Sequence, residues 1–175
     1  MKKNMRKSLI LTVISLLTAV AVQAQKFALV DMEYILGSIP AYEQANKQIE
    51  NASKQWQAEV DKLAQEAKKL YADYQAKVEN MSKAERSKSE EAVIAKEKSA
   101  NDLRRKYFGP EGELYKKREQ LLQPIEDEVY EAVKVIATRR GYAAVIDRAS
   151  ASSILFASPD IDISDEVLQQ MGYTN

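Results

Sequence analysis

Neither cysteine nor histidine occurs in the 175 residues, and there are only five glycines, four prolines and one tryptophan. Without cysteine there is no disulfide framework, no thiol nucleophile and no lipid attachment behind an export signal. Without either residue, zinc sites of the usual kinds and histidine-based catalytic triads are closed. Most enzyme classes are thereby excluded, and the many carboxylates sit in polar helical patterns where nothing marks a catalytic pair. Asp160, Asp162 and Asp165 lack the Gly and Glu spacing of a calcium loop, so no metal is expected. Gly109-Pro110-Glu111-Gly112 lacks the Gly-Lys-Ser/Thr ending of a phosphate loop, so no cofactor is expected either.

Charge of one sign is also missing overall, with 26 basic and 26 acidic residues. The balance is uneven along the chain. Lys62 to Arg118 holds fifteen Lys or Arg against ten Asp or Glu, and residues 25–61 and 119–175 on either side are acidic. Clusters at Lys68-Lys69, Arg104-Arg105-Lys106 and Lys116-Lys117-Arg118 are interleaved with carboxylates, which argues against a nucleic-acid partner.

The one long apolar run, Leu9 to Val22, follows Lys2, Lys3, Arg6 and Lys7 and precedes Val22-Gln23-Ala24. It is too short to span a bilayer, which takes about 20 residues. The pattern predicts a signal peptide over 1–24, cleaved before Gln25, and an exported mature protein.

What remains is helix. From Tyr42 the apolar positions Ala45, Ile49, Ala52, Trp56, Val60, Leu63, Ala67, Leu70, Tyr74, Val78 and Met81 follow at gaps of three and four. Such a narrow stripe on a polar helix fits one partner helix rather than a broad core. It breaks at Asn80-Met81-Ser82, and Ser82-Lys83-Ala84-Glu85 reads as a capping box that starts a second helix. Gly109 to Gly112 interrupts that helix, and the stripe resumes through Leu114, Leu121, Ile125, Val129, Val133 and Ile136, with a kink expected at Pro124. The simplest arrangement is an antiparallel hairpin arm over 41–124, with its tip near 80–85. A tip at Gly109–Gly112 instead would leave half of the ascending stripe uncovered.

The ends read as compact structure. Phe27 to Val30 suits a buried strand, Asp31 caps a short helix from Met32, and Pro40 opens the arm. Arg139, Arg140 and Gly141 end the returning helix. Two strands are expected at Tyr142–Asp147 and Ser153–Ala157, then a final helix capped by Ser164. Segments 25–40 and 125–175 form a β-containing oligomerisation body. Strands this few leave edges that more than one copy would cover.

The blocks Phe27-Ala28-Leu29-Val30-Asp31-Met32, Tyr107 to Leu114, Pro124-Ile125, Gly141 to Asp147 and Asp162 to Leu168 resemble the Skp/OmpH family of periplasmic chaperones. The resemblance covers essentially the whole mature chain. It implies an α+β, mostly α fold and a jellyfish-like homotrimer whose arms enclose a cavity. There unfolded outer-membrane proteins are held without ATP, with peripheral contact to the outer-membrane assembly machinery or the membrane surface. The best-known members are strongly basic, whereas this mature chain is mildly acidic.

Candidate client contacts are Tyr71, Tyr74, Val78 and Met81 on the outgoing helix and Tyr107 and Phe108 near the break. Lys68, Lys69, Lys77, Arg104, Arg105 and Lys106 supply positive charge, and Gly109, Pro110 and Gly112 are the candidate hinge. The competing reading is an exported coiled-coil scaffold or spacer of the cell envelope.

Overall fold

The computed structural model describes residues 26–151 and 153–173, so the expected signal peptide lies outside the described residues. The elements are β1 (Lys26–Val30), α1 (Met32–Gly37), α2 (Pro40–Lys77), a 3₁₀ turn (Val78–Asn80), α3 (Lys83–Phe108), α4 (Glu113–Arg140), β2 (Tyr142–Asp147), a second 3₁₀ turn (Pro159–Ile161) and α5 (Ser164–Gln170).

β1 and β2 pair in parallel, with Phe27 opposite Ala144 and Leu29 opposite Ile146. Parallel strands need a crossover, and here the whole helical arm is that crossover. Leu29 also bridges to Asp162, and its carbonyl accepts from the Ile163 amide at 2.9 Å, so β1 lies between β2 and the last segment.

Below this sheet the two chain ends share one apolar cluster. Ile35 and Ile39 from α1 and its exit, Val129 and Ile136 from α4, and Val167 from α5 are all essentially inaccessible. Polar ties lock the same parts. Asp31 caps α1 by accepting from the Tyr34 amide at 2.9 Å, and it takes two further hydrogen bonds from Arg148. The Asp31 amide donates to Ser164 Oγ at 2.8 Å, and Asp147 accepts from the Met32 amide at 3.2 Å. Arg139 and Arg140, in the last turn of α4, both pair with Glu166 of α5. Gly141 ends α4 in the left-handed region at φ 69°, where a residue with a Cβ is strained.

The arm leaves this base. Residue pairs across it, Glu59 with Tyr107, Glu66 with Lys96 and Tyr74 with Glu90, run in opposite senses on α2 and α3. The chain therefore reverses between Val78 and Ser82, where the Ser82–Glu85 capping box is fully formed. Val60, Ala67, Val93 and Ala100 bury the seam. Nearer the tip it loosens: Tyr74, Val78 and Met81 are half-buried and Leu70 is exposed. At about 1.5 Å per residue, α2 is roughly 57 Å long.

Three expectations need correction or refinement. Residues 153–157 form no strand, and Leu155 and Phe156 are 98% and 86% exposed; β1 takes β2 on one side and Asp162 on the other, and residues 153–157 pair with neither strand. Ser164 does not cap α5; its hydroxyl bridges the Asp31 amide and Asp162, and Ile163 stands at the cap position. Pro124 lies inside α4, which continues through it from Glu113 to Arg140.

Two measurements check this base. Ile136→Ala removes a fully buried side chain, and urea unfolding is expected to show a loss of about 3 kcal/mol. The second concerns pH. The Tyr34 amide and Arg148 hold the Asp31 carboxyl below its ordinary value of 3.8. Burial pushes Asp147 up, but hydrogen bonds from Met32, Ser150 and Ala149 outweigh it, and the net shift is downward. A lowered carboxyl stabilises the fold while ionised, so the contribution is complete well above 3.8 and disappears as pH falls through and below it. Thermal midpoints followed by circular dichroism are expected to be flat from about pH 8 to 5 and to drop below about pH 4, less steeply in Asp31→Asn.

Candidate functional site

The candidate client-contact residues lie on the outer arm, where the sequence supplies a polar helix pair with few apolar groups to spare. Tyr71 is 50% exposed and Ile94 on α3 is 63% exposed, each standing on an otherwise charged surface. Tyr71 accepts a hydrogen bond from Gln75 one turn on, at 2.6 Å. Tyr74 turns inward and its hydroxyl donates to Glu90 of α3, which raises the phenol's pKa and joins the two helices near the tip. Val78 lies in the 3₁₀ turn and Met81 follows it, both half-buried.

The structure gathers these residues into two hollows rather than one. Leu70, Tyr74, Lys77, Met81 and Lys88 line one near the tip. Ala64, Ala67, Lys68, Ala100 and Arg104 line the other, further down the arm. At roughly 100° per residue the two fall on opposite flanks of the seam. Lys68 and Arg104 thus share a face that Lys77 does not. Lys68, Lys69, Lys77, Arg104 and Lys106 are exposed, and none has an ion-pair partner among the described residues. Arg105 pairs with Asp102 on its own helix at 2.9 Å. An exposed pair of this kind adds little stability.

Tyr107 and Phe108 differ from the other candidates. The Tyr107 ring stacks on Trp56 with centroids 5.0 Å apart, and its hydroxyl donates to Glu59. That bond raises the Tyr107 pKa and lowers that of Glu59. Phe108 meets Tyr107 edge-on at 6.4 Å. Trp56 and Glu59 were not among the candidates from sequence. Trp56 was visible as a seam residue, but its partner depends on the hairpin register, which spacing on one helix does not fix.

The Gly109–Gly112 turn is tightly packed. The Gly109 amide donates to Arg105 O and the Gly112 amide to Gly109 O, each at 2.9 Å. A Cβ at Gly109 would run into the Arg105 carbonyl oxygen, and one at Gly112 would come within 2.7 Å of the Tyr107 carbonyl. Pro110 is exposed at the apex.

A self-paired helical arm carrying isolated apolar groups and unpaired cations, rooted in a small α/β base that joins both chain ends, defines an arm-and-base class of protein. The Outer membrane protein (OmpH-like) family model matches residues 26–171, and the chain belongs to that family. Its relatives include the Chaperone protein Skp of Yersinia enterocolitica, 28% identical over 160 residues and covering 90% of this chain and 93% of that protein. The Chaperone protein Skp of Photorhabdus laumondii is 29% identical over 152 residues, covering 85% and 86%. The crystal structure of an OmpH-like protein from Caulobacter crescentus matches with a TM-score of 0.64 over 84% of this chain and 83% of that one. At 14% identity that match shows a shared fold.

The packing of the turn gives a direct test. Gly109→Ala is expected to cost about 2 kcal/mol in thermal or urea unfolding. Gly37→Ala, where a Cβ meets nothing within 4 Å, is expected to stay within about 0.5 kcal/mol of the parent.

Proposed function

We propose that this chain is an ATP-independent holding chaperone of the periplasm that grips unfolded outer-membrane proteins between helical arms before their assembly. The observation that carries the reading is the outer arm itself. Tyr71, Leu70 and Ile94 offer separate apolar contacts, and Lys68, Lys69, Lys77, Arg104 and Lys106 offer unpaired charge. Many weak contacts of mixed kind suit clients of varied sequence, because the total affinity comes from their number. Tyr74, Val78, Met81, Tyr107, Phe108 and Arg105 complete the proposed contact set. The turn at Gly109, Pro110 and Gly112 is the proposed hinge.

Segments 25–40 and 125–175 act as the oligomerisation body, and 41–124 as the arm. The reading includes export by a signal peptide over 1–24, supported by the basic and apolar start of the chain. Names of the relatives support the chaperone role. Three copies is the number the family resemblance implies. Self-association is supported by Leu155 and Phe156, which are almost wholly exposed, and by Phe27 and Ile146, which stand 47% and 40% exposed on the sheet. Apolar surface of this kind, next to an unpaired strand edge, usually meets a partner.

Light scattering tests the function. A urea-unfolded outer-membrane β-barrel, diluted into buffer without nucleotide, is expected to stay clear at about one trimer per client. Unchanged aggregation across several clients would overturn the holding role and favour the envelope scaffold. Separately, the double variant Leu155→Ser/Phe156→Ser is expected to sediment at the mass of one chain while keeping its helical dichroism. An unchanged oligomer would show that this segment is not the interface.

A further inference from the structure

Tyr107 is the last residue but one of α3 and stands at the entrance to the Gly109–Gly112 turn. Its ring lies flat against Trp56 of α2, with 9° between the planes. Its hydroxyl reaches Glu59, less than one turn further along α2, and Glu59 also accepts from Gln55 at 3.2 Å. The Lys106 ammonium sits 5.6 Å from the centroid of the same ring. With the edge-on contact of Phe108, these contacts converge at the place where the returning strand of the arm is interrupted.

The opposite strand is not interrupted there. α2 runs unbroken from Pro40 to Lys77, with no proline past its first position and no glycine, so it splints the turn. A bend at the turn therefore needs two events. The contact between Tyr107 and α2 must open, and α2 must curve. Trp56 lies roughly 24 Å above Pro40 and about 36 Å below the tip, at 1.5 Å per residue. Long helices curve with radii of about 60–100 Å, which carries the end of a 36 Å lever sideways by roughly 6–11 Å.

We propose that Trp56, Glu59 and Tyr107 are positioning residues that clasp the returning strand of the arm to α2. Closed, the clasp holds the outer hairpin in line with the base. Open, it lets the outer arm sweep outward around a bulkier bound chain. The role in fitting clients of different size rests on the holding function proposed above; the closed clasp does not.

Because the chain has no cysteine, a spin-label pair can be placed cleanly at two exposed positions, Gln48→Cys and Ala84→Cys. Labelled chain is diluted among unlabelled chain so that only distances within one arm are read by double electron–electron resonance. In the free protein, Tyr107→Leu is expected to at least double the width of the distance distribution at unchanged helical dichroism. Tyr107→Phe keeps the ring and is expected to stay nearer the parent. Should Tyr107→Leu lose helical signal, Glu59→Ala reads the same clasp from its α2 side and is expected to broaden the distribution. A parental width in folded Tyr107→Leu, or in Glu59→Ala where Tyr107→Leu does not fold, would overturn the clasp.

A urea-unfolded β-barrel is then added to the parent, with scattering recorded on the same sample. Movement toward the Tyr107→Leu distribution supports the sweep. If scattering shows the client held while the distance stays fixed, the sweep is overturned. If the client is not held at all, the holding function fails, and the free-protein comparison still decides the clasp.

Discussion

The narrowness of the apolar stripe on α2 governs the rest of the molecule. One apolar residue every three or four positions gives enough surface for a single partner helix and no more. The chain supplies that partner itself by turning back at Ser82, so the arm is complete without a second copy. Everything that needs a broader core is displaced to the two ends. There Ile35, Ile39, Val129, Ile136 and Val167 close one small cluster beneath a two-stranded sheet. A sheet so small stabilises itself poorly. The polar ties around Asp31, Asp147 and Arg148 add directional constraint where apolar area is short.

The same economy shapes the surface. A seam that is dry at Val60 and loose at Leu70 and Met81 leaves the outer arm with partly uncovered apolar groups among exposed charged side chains. That is a poor surface for one specific partner and a good one for many weak contacts. The base has the opposite character. Its exposed apolar residues include Phe27 and Ile146 on the sheet and Leu155 and Phe156 in the segment that follows it. On the proposed reading the two ends of the molecule serve different partners, adaptable chains at one and copies of itself at the other.

Much of this was legible in the residues because the signals are local. The capping box at Ser82, the Asp31 cap, Pro40 at a first helical position and Gly141 beyond a helix end each act within a few residues, and all are formed. No strand forms at Ser153–Ala157 because a β-rich run reports a local preference, while pairing depends on contacts far along the chain, and here Asp162 takes the second side of β1. Ser164 was misread as a cap because its hydroxyl is taken by an amide 133 positions away. At the site, exposure of Tyr71 and the lysines followed from helical spacing. The division of the candidates between two flanks, and the engagement of Tyr107 by Trp56 and Glu59, followed only from the register of the hairpin.

The central claim is that the arm is self-sufficient while the base is completed by other copies. Amide hydrogen exchange across a dilution series tests it most directly. The account predicts that protection in α2 and α3 is independent of protein concentration. Protection of β2 and of residues 153–157 should fall as the oligomer dissociates. Protection that falls together in arm and base, or residues 153–157 unprotected at every concentration, would contradict it.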